Sequence, residues 1–157
     1  MKIAEAATEF LNQSRIAVTG VSSKPEGHGS NAVYTRLRER GYTVFAVNPH
    51  AQTVEGDTAY PDLASIPDGV DAVVIATSAE HAPGTMREAA ELGIHYAWMH
   101  RSFGAGSVSE EATRIGRDAG MLVIDGGCPL MFGKASDGGH RMMCRMMKLT
   151  GRVPREV

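Results

Sequence analysis

Apolar residues fall along this chain in short blocks whose period alternates between helical and extended. Ile3, Ala6, Ala7, Phe10 and Leu11 recur at helical spacing, which predicts an amphipathic helix over residues 3–12 packed on the edge of a domain. Residues 16–19 (IAVT) form a first buried strand, broken at Gly20 by a polar loop that feeds a helix beginning near Ser30. Val33 and Leu37 keep helical period until Gly41, a natural helix stop. Residues 42–47 (YTVFAV) are β-branched and aromatic and predict a second strand, closed by Asn48-Pro49 because proline has no amide to donate.

A longer connection follows. In it Thr53-Val54 can pair briefly before a Gly56-Asp57 turn, and residues 62–66 suit one or two helical turns after Pro61. The run at 71–76 (DAVVIA) is nearly all apolar and predicts a strand covered on both faces. Helices are predicted over 80–92 and 108–119, the latter opened by a Ser107-x-x-Glu110 capping box. Strands are predicted at 95–99 and 121–124. Such strand–helix alternation predicts an α/β, Rossmann-like, doubly wound parallel sheet of about five strands with helices on both faces. Ligands of such sheets bind beyond the carboxyl ends of the strands, which selects the loops at 20–30, 48–51, 76–81, 99–106 and 125–133. Residues 125–157 leave the rhythm. They carry a Gly-Gly-Cys-Pro turn and a methionine-rich helix over 140–149, whose Met143, Met146, Met147 and Leu149 supply an apolar face for the core or for a homodimer.

Composition narrows the function classes. One domain spanning 1–157 is expected, with residues 1–13 as its N-terminal helix and 125–157 as a C-terminal extension. A formal charge of -2 gives no basic field for nucleic acid, and no apolar run has the roughly 20 residues of a membrane span. Glu5 and Glu9 interrupt any signal core, and two cysteines are too few for a disulfide framework, so a reduced, cytoplasmic protein is expected.

The first loop is an anion cradle: backbone amides, Ser22, Ser23, Lys24 and a helix N-terminus all favour a phosphate. It is not a dinucleotide fingerprint. Gly20, Gly27 and Gly29 are spaced G-x6-G-x-G instead of G-x-G-x-x-G, and the second strand ends in Val47-Asn48-Pro49 without the carboxylate that holds a ribose. An NAD(P)- or nucleotide-dependent enzyme is therefore the alternative reading. A thiol- or zinc-dependent redox protein is another, because His140 and Cys144 lie i, i+4 and Cys128 with His81 or His100 can complete a tetrahedral set.

The series Ile16-Ala-Val-Thr-Gly-Val-Ser-Ser-Lys-Pro, Gly41-Tyr-x-Val-x-x-Val-Asn-Pro, Val54-x-Gly-x-x-Ala-Tyr-Pro-x-Leu-x-x-Ile-Pro and Val70-Asp-x-Val resembles the bacterial CoA-binding domain family. These are small Rossmann-like proteins similar to the nucleotide-binding domain of the succinyl-CoA synthetase alpha chain, and the resemblance covers about residues 15–124. It implies coenzyme A or an acyl-CoA as small-molecule ligand. Its pyrophosphate would lie over Gly20, Val21, Ser22, Ser23 and Lys24, with Asn31 reaching a phosphate oxygen. Its adenine would lie near Val47, Asn48 and Pro49, and its pantetheine past Ala76, Thr77 and Ser78. His81 follows as a further contact and the best isolated candidate for a base. After the fourth strand the family's Trp-x-Gln is replaced by Trp98-Met99-His100-Arg101, which adds two potential cations, and Cys128 falls where a thiol can meet that of CoA, the other reading being a buried, inert cysteine. The family's phosphohistidine belongs to a separate domain, so a binding or regulatory module is expected ahead of a catalyst, with no catalytic residue and no metal assigned.

Overall fold

The computed structural model describes residues 1–24, 26 and 28–157; Pro25 and Gly27, both part of the first-loop pattern, lie outside the described residues. Helix α1 (Ile3–Leu11) precedes β1 (Arg15–Thr19), α2 (Gly29–Glu39) and β2 (Thr43–Val47). Then come β3 (Thr53–Val54), β4 (Asp57–Tyr60), β5 (Ala72–Ile75), α3 (Ala82–Glu91), β6 (Tyr96–Met99), α4 (Glu110–Asp118) and β7 (Leu122–Asp125). Two short 3-10 turns lead into α5 (Gly138–Leu149).

The seven strands lie in the order β3-β4-β2-β1-β5-β6-β7, all parallel except β3, which pairs antiparallel with β4. The Rossmann-like α/β expectation holds, with two strands more than the pattern predicts. The added pair is the hairpin in the 50–69 connection. Its first strand is the expected Thr53-Val54, and its second, β4, joins the sheet beside β2 with Ala59 opposite Ala46 and Tyr60 opposite Val47. Residues 61–67 form bends and turns instead of the expected helical turns. A second correction concerns α4. Its cap is Ser109, whose hydroxyl accepts from the Ala112 amide at 3.2 Å. Ser107 instead donates its hydroxyl to the Thr77 carbonyl and its amide to the His100 carbonyl (2.8 Å), which ties the loop after β6 to the loop after β5.

Strand alternation divides the interior into two layers. Ile16, Val18, Val74, Trp98 and Ile124 face α1, α2 and the C-terminal segment. Ala17, Val73, Ile75, Met99 and Val123 face α3 and α4. In α5 only Cys144 and Met147 are buried, with Met143 packed partly against the core; Met146 and Leu149, expected on the apolar face, are exposed. The chain leaves β1 toward β2 on one side and later crosses back to β5 on the other. The β1/β5 boundary is thus the point where connections diverge, and a crevice opens there at the carboxyl ends. No helix is long and apolar enough to cross a membrane among the described residues.

Candidate functional site

Two clefts lie along this carboxyl edge. The first, about 500 Å³, is lined by Ser22 from the loop after β1, Val47, Asn48 and Pro49 from the end of β2, Leu63 after β4, and His81 at the start of α3. The second, about 510 Å³, is lined by Ala76 and Ser78 after β5, Gly29 and Ser30 at the start of α2, and His100 and Phe103 after β6. Gly20, His28 and Thr77 line both, so the clefts share a wall at the β1/β5 divergence.

The loop after β1 is held from both sides. Gly20 has φ +75°, and a Cβ there would meet the Ala76 carbonyl oxygen at 2.7 Å, so only glycine lets β1's exit cross the end of β5. The Gly20 carbonyl accepts from the Ser30 hydroxyl at 2.8 Å. Asn48, where a dinucleotide site needs a carboxylate, donates its side-chain amide to the Val21 carbonyl at 2.9 Å and accepts from the His50 amide at 2.7 Å. Asn31 accepts from the Ser22 amide and donates to the Ser22 carbonyl, each at 2.8 Å, and its second amide hydrogen goes to Glu55 at 2.9 Å. Asn31 is 3% exposed and shapes the cradle from beneath, with both its side-chain hydrogens already engaged.

Other predicted contacts are distributed unevenly. Val21 is fully buried with its side chain in the core. Ser23 and Lys24 are exposed and line neither cleft. The Lys24 amide donates to the Ser22 hydroxyl at 3.0 Å, folding the loop back on itself. His81 is exposed, its Nδ1 2.7 Å from the Ser78 hydroxyl.

Burial sets the chemistry of two groups, against expectation for one and in line with the inert alternative for the other. His100 was a potential cation by sequence; burial pushes its pKa down to about 4, so it is a neutral imidazole near pH 7. Its Cε1 lies 3.6 Å from where a Cβ on Gly29 would sit, beside the positive end of α2, which also disfavours the imidazolium. Cys128 is 3% exposed within the core, and burial pushes its thiol up to about 12. It is an inert core thiol, not one placed to meet a ligand's sulfur. Among the described residues no three His, Cys, Asp or Glu side chains gather as a metal site, so the zinc alternative finds no ligand set.

Thr77 supplies an unexpected signal. Its hydroxyl is buried and, alone among the buried side-chain polar atoms of the described residues, has no hydrogen-bond partner. Leaving such a group unpaired costs about 1–3 kcal/mol, and it sits on the wall that the two clefts share. Sequence reasoning missed His28, Leu63 and Phe103. The signal for Leu63 was available: recognising β4 puts Pro61 to Leu63 at a strand's carboxyl end. His28 carried none beyond its position just before a helix.

The neutral His100 has a consequence for stability. An unfolded histidine titrates near 6.5, so between about 6.5 and 4 the unfolded chain binds a proton that the folded chain refuses. Stability therefore falls as pH drops through this window, by about 3 kcal/mol in full. Urea unfolding at about pH 7 and about pH 4.5 is expected to show His100→Gln losing about 2–3 kcal/mol less than the parent chain over the interval. Equal losses would mean that the imidazole is already hydrated in the fold.

Comparison with known proteins places this geometry. A family profile described as a CoA binding domain matches residues 14–134. The chain belongs to the CoA-binding domain family. It is 32% identical over 117 residues to YneT of Bacillus subtilis, covering 74% of this chain and 83% of that protein. It is 31% identical over 127 residues to the alpha subunit of the ADP-forming acetate–CoA ligase II of Pyrococcus furiosus. That match covers 76% of this chain and only 27% of the subunit, so the chain spans about a quarter of the ligase polypeptide. Among solved structures, a hypothetical protein from Pyrococcus horikoshii OT3 superposes with a TM-score of 0.74 at 28% identity, covering 81% of this chain and 87% of that one. The Asn48-Pro49 and Ala59-Tyr60-Pro61 elements that carry the resemblance end neighbouring strands, where the Asn48 backbone amide donates to the Tyr60 carbonyl at 2.9 Å.

Proposed function

We propose that this chain binds coenzyme A, free or as an acyl thioester, along the carboxyl ends of its parallel strands, as a binding or regulatory module. The observation that carries the reading is the pair of joined clefts meeting at Gly20, His28 and Thr77, with the unpaired Thr77 hydroxyl in their common wall. An extended ligand with a nucleotide at one end and a flexible arm at the other suits two lobes joined at a waist. In this reading the adenine packs on Val47, Pro49 and Leu63 in the first cleft. The pyrophosphate lies at Gly20, Ser22 and the start of α2, where the dipole favours an anion, with Ser23 and Lys24 at its solvent edge. The pantetheine passes Ala76, Thr77 and Ser78, with His100 at its thiol end. A turn of the partly exposed Thr77 side chain about χ1 would bring its buried hydroxyl into the cleft, where a ligand amide could supply the missing hydrogen bond.

Family membership and the likeness to a ligase whose name includes CoA support the choice of ligand. Neither His100 nor Cys128 serves as a catalytic group in this reading, since at neutral pH a histidine of pKa about 4 is a poor proton acceptor and a thiol of pKa about 12 a poor nucleophile.

Thermal unfolding with CoA, acetyl-CoA, NAD, NADP and ATP at matched concentration tests this. A ligand at a hundredfold excess over its dissociation constant stabilises the fold by about 2.7 kcal/mol, and CoA is expected to do so. A shift with NADP and none with CoA would overturn the reading in favour of a nucleotide-dependent enzyme. Thr77→Val locates the site. It is expected to leave the fold as stable or up to about 1 kcal/mol more so, while weakening CoA binding about tenfold. Unchanged affinity would place the ligand elsewhere.

A further inference from the structure

A third hollow lies beyond the second cleft. It is a groove of about 330 Å³ against α5, lined by Phe103, Met142, Met143, Met146, Met147 and Arg152 with Gly139 and Thr150. Met142 and Met146 sit one turn apart and are 64% and 63% exposed, and Phe103 is 73% exposed. The helix does not need Met142 or Met146 to dock, because Cys144 and Met147, the latter at the floor of the groove, already anchor it in the core. Large apolar groups left in water beside a ligand cleft mark a binding surface.

Phe103 decides what that surface receives, because it lines both the groove and the second cleft. We propose that the groove holds the hydrocarbon chain of a medium- or long-chain acyl thioester of CoA, an inference that rests on the CoA site proposed above. Along the carboxyl edge the hollows succeed one another from β2 through β1 and β5 to β6, and then to α5. The parts of such a ligand follow in the same sequence: nucleotide, pantetheine, thioester, hydrocarbon. Methionine suits the last position, since its flexible, polarisable side chain fits an aliphatic chain of varying path without needing a polar partner. The volume falls in the range of about 300–1,000 Å³ usual for small-molecule pockets.

The test is calorimetric titration of the full chain with CoA, acetyl-CoA, octanoyl-CoA and dodecanoyl-CoA, kept below the concentrations at which the long thioesters self-associate. Acetyl-CoA is expected within about twofold of CoA, and dodecanoyl-CoA at least about tenfold tighter, a gain that burying roughly two methylenes supplies. In the double variant Met142→Ser, Met146→Ser, CoA affinity is expected to stay unchanged, because neither residue lines the CoA clefts, while the dodecanoyl gain falls to about twofold or less. CoA binding with no gain from the longer chain overturns the acyl groove and leaves the CoA site standing. A gain that survives the double variant also overturns it. If sedimentation shows a dimer that the double variant dissolves without touching the dodecanoyl gain, the patch belongs to a second copy and the inference is wrong. Binding of neither CoA nor any thioester overturns the CoA site itself, and the groove assignment with it.

Discussion

Gly20→Ala is expected to destabilise the fold by about 2–5 kcal/mol and to weaken CoA binding at least about tenfold. The stability loss has two sources. At φ +75° an L side chain pays about 1–2 kcal/mol of left-handed strain. The new Cβ would also lie 2.7 Å from the Ala76 carbonyl oxygen and 2.9 Å from its carbon, backbone atoms with little freedom to give, and relieving such crowding costs a further 1–3 kcal/mol or so. The effect on binding follows from position. Gly20 stands in the wall common to both clefts, and moving β1's exit away from β5 distorts the cradle held by Asn31 and Asn48. Urea unfolding followed by CoA titration of the folded fraction measures both; a variant of parental stability would show that the two strand ends are not held as close as described.

The second large effect is expected at Trp98. Its ring is fully buried, meets Phe10 of α1 edge-on at 5.3 Å and Phe132 of the C-terminal segment at 5.6 Å, and donates its Nε1–H to the Gly126 carbonyl at 2.9 Å. One side chain on β6 thus ties both flanking segments to the sheet. Trp98→Ala is expected to cost about 3–5 kcal/mol, the usual range for truncating a core aromatic. Trp98→Phe keeps most of the packing and leaves Gly126 unpaired, for a loss nearer 1–3 kcal/mol. Trp98 is the chain's single tryptophan, so far-UV circular dichroism is the suitable probe. A loss below about 1 kcal/mol for Trp98→Ala would mean that the flanking segments dock independently of it.

Much of this architecture was legible in the residue pattern. The continuous apolar runs at 16–19 and 72–75 become central strands because a parallel sheet covered on both faces selects against polar residues on either. The break at Gly20 marks a loop for the same local reason: no other residue accepts that backbone conformation so readily. Family resemblance then rested on Asn48-Pro49 and Ala59-Tyr60-Pro61, short elements that local chemistry holds in place. The hairpin strand β4 was harder to see. Asp57 to Tyr60 has no strong period of its own and becomes a strand only because β2 offers it an edge. The Ser107 capping pattern failed for a related reason: a neighbouring serine, Ser109, caps equally well, and Ser107 is drawn away by the Thr77 carbonyl, a partner thirty positions distant.

The site divides along the same line. Sequence by itself determined which strand ends carry polar and glycine-rich loops, and hence which edge of the sheet holds the clefts, because those are properties of residue type and local spacing. Tertiary structure alone decided the role of each side chain there. Asn31 and Asn48, which look like ligand contacts in the sequence, also clamp the loop after β1, since their partners on Ser22, Glu55 and Val21 come from other elements. His100 looks like a cation and is neutral because the fold strips part of its hydration, a matter of burial that no spacing encodes. The unpaired Thr77 hydroxyl and the groove that shares Phe103 with the second cleft exist only where distant segments meet.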